Sequence, residues 1–247
     1  MALQGDGVMA AASSRLSLLL VAAAMGAIIR CSWADNLTDP DHNIMNELKS
    51  GLIFRPNSSV YSVLSGPGPC PWGRDPINMC NKVDDEGTLR VTRVNISSQA
   101  AGGTLPLNLK NLTKLELFDA SNNNLTGAIP KFADSLIFLS LHTNNLSGEI
   151  PDLSHLNQLT HLDISNNQLT NGVPPSIEAL INLKYLNLSN NKLTGSIPHR
   201  LTRLTALETL DLSNNRLSGL VPQFNYSLGE VITCGNLLLS GEMGKPC

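Results

Sequence analysis

The chain reads as an α/β solenoid: a right-handed superhelix of about six turns, with one parallel concave sheet and a disulfide cap at each end. Three observations carry this reading. A phrase made of a short apolar strand, an asparagine, a leucine, a glycine and a proline recurs six times between residues 91 and 222. Its asparagine position falls at 99, 123, 144, 167, 191 and 215, in steps of 24, 21, 23, 24 and 24 residues; a fixed period in the low twenties marks a stack of short leucine-rich units. Aromatic residues make up only 4% of the 247, so the core is built from many leucines, each unit burying its own against the next.

Residues 1–34 read as a secretory signal peptide. Arg15 precedes an apolar run of 14 residues (16–29), and Ser32-Trp33-Ala34 supplies a small-residue cleavage site. That run is shorter than the about 20 residues needed to cross a bilayer as a helix; left uncleaved, it would anchor the chain at a membrane instead. Cleavage removes Cys31 and leaves Cys70, Cys80, Cys234 and Cys247. Four cysteines allow three connectivities. Pairing Cys70 with Cys80 and Cys234 with Cys247 puts one staple at each end of the repeats, where a solenoid exposes core that must be capped. Eight N-x-Ser/Thr sequons, at Asn36, Asn57, Asn95, Asn111, Asn124, Asn145, Asn187 and Asn225, are candidate glycosylation sites and support the secretory route.

Residues 35–88 form the N-terminal cap. Met45, Leu48 and Leu52, at spacings of three and four, predict an amphipathic helix over residues 43–52. Pro56 is expected to end it. A Gly/Pro-rich loop at residues 65–71 leads into the Cys70/Cys80 segment, with Trp72 placed over the first repeat. Residues 89–222 are the repeats. The cleanest copy reads Leu183, Leu186, Leu188, Asn191, Leu193, Gly195, Ile197, Pro198; the first is degenerate, with Gln99 where asparagine belongs. Residues 223–247 lose the period and are expected to form the second cap.

Alternation in Leu-x-Leu sends two side chains into the core and leaves the residue between them outside. Asn123, Asn144, Asn167, Asn191 and Asn215 form a structural ladder: a buried amide can satisfy turn backbone groups that would otherwise cost about 1–3 kcal/mol each. The glycine allows positive φ. Asn171 replaces it in the fourth copy and tolerates the same conformation.

On the concave sheet the residue just before the second strand leucine forms an exposed column: Arg93, Leu117, Phe138, His161, Tyr185, Thr209. An apolar stripe rimmed by polar residues marks a binding surface, and aromatic anchors carry most interface energy. These six are the candidate partner-binding residues. The column between the two leucines, Asn95, Asp119, Ser140, Asp163, Asn187 and Asp211, reads as solvated framework. Catalysis is not expected. The sequence shows no phosphate loop or nucleophile elbow, no metal-ligand spacing around its five histidines, and no cleft between paired carboxylates. No cofactor is called for, and a net charge of −3 without a basic block does not suit nucleic acid.

The repeat ending Leu125-Thr126-Gly127-Ala128-Ile129-Pro130, repeated from Leu146, Leu193 and Leu217, makes residues 48–247 resemble the extracellular region of plant leucine-rich-repeat receptor kinases and their secreted relatives. More narrowly, Gly103-Thr104-Leu105-Pro106, the following Asn108-Leu109-Lys110-Asn111-Leu112-Thr113, and the tail Val221-Pro222-Gln223-Phe224 with its cysteine pair resemble the receptor-like transmembrane kinases linked to auxin signalling. The resemblance covers the sensing part of such receptors, without second repeat block, membrane span or kinase domain. It implies a secreted module of the apoplast or cell wall that binds proteins or peptides, with receptor-kinase ectodomains or their ligands as partners. Two alternatives are a secreted inhibitor of a wall hydrolase, similar to the polygalacturonase-inhibiting proteins, and a truncated receptor ectodomain.

Overall fold

The computed structural model describes residues 40–53, 80–83, 89–224 and 229–240. Expectations for residues 1–34, Asn36, Pro56, Asn57, the 65–71 loop, Cys70, Trp72, Asn225 and Cys247 lie outside the described residues. The architecture is a parallel-strand solenoid. Each turn contributes one three-residue strand to a seven-stranded sheet: β1 (Arg93–Asn95), β2 (Leu117–Asp119), β3 (Phe138–Ser140), β4 (His161–Asp163), β5 (Tyr185–Asn187), β6 (Thr209–Asp211) and β7 (Glu230–Ile232). These strands lie in sequence order and pair only in parallel. Short second strands such as Asn124–Thr126 and Arg216–Leu220 follow. Single 3-10 turns at Leu109–Asn111, Pro175–Ala179 and His199–Arg203 carry the chain back.

The alternation places the strand leucines as expected. Leu139, Leu162, Leu186 and Leu210 are at most 1% exposed, and Phe118 fills the same place in the second turn at 0%. Phe118 also meets Phe132 at 5.1 Å between ring centroids. One core therefore runs through all turns.

The asparagine ladder joins each turn to its predecessor. Asn167 Nδ2 donates to the carbonyls of Ile164 and Ser165 in its own turn (3.2 and 3.0 Å) and of Leu141 in the previous one (3.0 Å). Its Oδ1 accepts from Leu146 N–H at 2.9 Å. Asn123, Asn144, Asn191 and Asn215 repeat the pattern. Among the described residues the Gln99 side chain bonds only within its own turn, at Ser97 O, so the first repeat departs from the ladder in geometry as in sequence. At the glycine position, Asn171 takes φ +64, beside +76 at Gly195 and +83 at Gly219.

The described residues form seven turns, one more than the six repeats read from the sequence. β7 and Asn236 lie in the stretch assigned to the second cap, and Asn236 bonds Leu212 O and Leu217 N–H as a ladder asparagine does. Val231 and Thr233 stand where earlier turns have leucine, which hides the period. Cys234 is disulfide-bonded. The expected pairings, Cys234 with Cys247 and Cys70 with Cys80, each involve a residue outside the described ones.

At the other end, helix α1 (Pro40–Gly51) buries Ile44, Met45 and Leu48 against the first turn. It stops at Gly51, before Pro56, because the chain leaves as a strand: Leu52 and Ile53 pair antiparallel with Gly103 and Gly102. Gly103, at φ +94, lies so close to the Gly51 carbonyl that a Cβ would collide with it. Asp41, fully buried in the first helical turn, accepts from Arg90 Nε (2.9 Å), Arg90 Nη2 (2.6 Å) and Val91 N–H (2.9 Å). No local pattern announces this pair, whose members are 49 residues apart.

Candidate functional site

Strand register sets the candidate column shoulder to shoulder. Arg93 faces Leu117, then Phe138, His161, Tyr185 and Thr209 in succession, and Glu230 extends the file on β7. Arg93 is exposed and the other six half-buried. The three rings form a continuous stack. Phe138 and His161 lie 4.3 Å apart between centroids at 8°, and His161 and Tyr185 4.4 Å apart at 4°. Neighbouring strands about 4.8 Å apart bring rings in one column close to stacking distance. Both faces of His161 are covered by its neighbours, so a partner meets ring edges.

Burial pushes the His161 imidazole below its ordinary pKa, against the raising pull of Asp163 and Asp119; His142 adds to the lowering. Burial likewise raises the Tyr185 phenol, against the Asn187 hydrogen bond that lowers it. Asn187 Nδ2 donates to Tyr185 Oη at 3.2 Å, which leaves the phenolic proton to donate outward. The site is thus a neutral aromatic strip with hydrogen-bonding edges.

The neighbouring column builds the turns. Asn95 Oδ1 accepts from Ser97 N–H and Oγ, Asp119 from Ser121, Asp163 from Ser165 and Asn187 from Ser189; Asp211 accepts from Ser213 N–H. Two of its members are less solvated than the sequence implies: Ser140 and Asp163 are only 4% and 9% exposed. The third turn departs from its neighbours at three places. Ser140 replaces the usual Asp or Asn, His142 the usual serine, and Thr143, at φ +57, stands where four other turns use Asn. A β-branched residue at positive φ is strained, and His142 Nδ1 lies 3.1 Å from Thr143 Oγ1. These departures cluster beside the ring stack, a signal that only alignment of the turns against one another makes visible.

Among sequons in the described residues, Asn95, Asn111, Asn124 and Asn145 are exposed and Asn187 is half-buried. The described residues contain no group of three or more His, Cys, Asp or Glu arranged to hold a metal. Nor do they contain a helix long and apolar enough to cross a membrane.

Fold and ladder together define a leucine-rich-repeat solenoid, and leucine-rich-repeat family models match residues 170–217 and 158–180. The chain is similar in sequence to plant receptor-like kinases and in structure to leucine-rich-repeat ectodomains of receptor kinases. It is 33% identical over 150 residues to "Receptor-like kinase TMK2" of Arabidopsis thaliana, a match covering 59% of this chain and 16% of that protein. The chain thus spans a small part of that relative's length. Among solved structures, the PEPR1–AtPEP1 complex matches at TM-score 0.65 and 28% identity, over 83% of this chain and 29% of that one. The BIR3–SERK2 complex from Arabidopsis thaliana matches at TM-score 0.55 and 29% identity, over 83% and 97%.

Proposed function

We propose that this protein is a secreted or cell-surface binding module that recognises receptor-kinase ectodomains, or their peptide ligands, through the concave repeat face. Arg93, Leu117, Phe138, His161, Tyr185 and Thr209 form its contact column. The observation that carries this reading is the in-register Phe138–His161–Tyr185 stack, half-buried on an open sheet. Rigid rings add contact area at little entropic cost. The similarity to a receptor complex with AtPEP1 and to a complex of two proteins, BIR3 and SERK2, supports peptide or protein as the class of ligand. The signal peptide, the two disulfides and the glycans belong to the same proposal.

The test is surface plasmon resonance of residues 35–247 against a panel of plant leucine-rich-repeat receptor-kinase ectodomains, beside a Phe138→Ala/Tyr185→Ala variant. At least one ectodomain should bind the native protein, and the variant should bind it at least about tenfold more weakly while keeping its circular dichroism spectrum. Equal binding by both, or by neither, would move the site off this column. Unfolding of Tyr185→Ala alone would show that the column is core.

A further inference from the structure

The carboxylates beside the ring stack are only half used by the fold. Asp119, Asp163 and Asp211 each commit Oδ1 to a serine of their own turn, and Oδ2 takes no hydrogen bond from the described residues. Asp163 is only 9% exposed, and charge-assisted hydrogen bonds are strongest in such surroundings. Bases on the same face do not balance these acids: Arg93 stands at the first turn, and Lys184 lies 3.4 Å from Glu208. Electrostatic complementarity therefore selects a cationic partner.

Spacing selects its conformation. The three aspartates occupy alternate strands, β2, β4 and β6, so they repeat about every 9.6 Å along the sheet, two strand spacings of about 4.8 Å. A polyproline II helix presents the same side every three residues, about 9.3 Å. A β-strand does so about every 6.8 Å and an α-helix about every 5.4 Å, and neither keeps step with the aspartates as closely. Alongside, the stacked rings offer carbon edges to proline rings and aliphatic stems, and the Tyr185 hydroxyl a donor to a peptide carbonyl. Resting on the concave-face reading above, we propose that the partner segment is a proline-rich peptide in polyproline II conformation with Lys or Arg at every third residue, lying along the sheet with its cations on Asp119, Asp163 and Asp211.

Fluorescence anisotropy of two labelled nine-residue proline-rich peptides tests this. One carries Arg at positions 1, 4 and 7; the other has the same composition with Arg at 1, 3 and 5. The variant is Asp119→Asn/Asp163→Asn/Asp211→Asn. It should fold, because Asn95 and Asn187 already make the same serine bonds at this position. Each substitution creates an N-x-Ser sequon, so all proteins are made in a host that does not N-glycosylate. The every-third peptide should bind about tenfold or more tighter than its control and lose that advantage on the variant. Equal binding of the two peptides, no binding of either, or no change on the variant would overturn the inference. So would a glycan on Asn187 of secreted protein, since that side chain lies in the file between Asp163 and Asp211. Receptor-ectodomain binding that needs Phe138 and Tyr185 but ignores the three aspartates would overturn this inference and leave the concave-face reading standing.

Discussion

Asn167 closes four hydrogen bonds, across two turns, with one buried amide. The role is legible in sequence because a polar residue recurring inside an apolar frame has to be satisfied there. His161 is different: its sequence position says that it faces outward, and only the neighbouring turns say what covers it. With burial as the larger influence, the folded imidazole holds its proton less tightly than the ordinary 6.5 of an unfolded chain. As pH falls, the unfolded state is protonated first. The stabilisation is therefore complete above about pH 6.5 and lost between there and the lowered folded value. Thermal melts from about pH 7 to about pH 5 should show the native midpoint falling further than that of a His161→Phe variant. Parallel falls would mean that the imidazole is not held neutral.

Helix α1 shows what an element owes to its partner. Its apolar spacing is plain in the sequence, yet it is locked in place by Asp41 against Arg90, neither of which belongs to that pattern. Replacing Asp41 with asparagine removes the carboxylate that pairs with a guanidinium only 8% exposed, at a cost of about 3–5 kcal/mol. Urea unfolding of Asp41→Asn should show that loss, and amide exchange should speed up first in residues 41–52. A cost below about 1 kcal/mol would place the pair among weak surface bridges. β7 fails to show in the sequence for a related reason. Val231 and Thr233 are poor matches to the leucine pattern, and Val231 only partly joins the core through the turn before it.

The whole molecule is a one-dimensional stack in which each turn contacts only its neighbours. Damage should therefore depend on where along the stack it falls. Leu186, fully buried on the interior strand β5, should cost about 2–5 kcal/mol as Leu186→Ala. Val231→Ala on the half-buried last strand should cost about 1 kcal/mol. Chemical denaturation of the two variants checks the contrast, and equal losses would contradict nearest-neighbour stacking. The sequence by itself determined the period, the inward and outward faces, the asparagine ladder and the column from Arg93 to Thr209, because each follows from residue spacing within one turn repeated in the next. The tertiary structure alone decided that Phe138, His161 and Tyr185 stack, that Asp41 meets Arg90, that Asp163 is nearly buried, and that a seventh turn exists. Each of these depends on register between turns and on which atoms cover one another, which the spacing of residues along the chain does not specify.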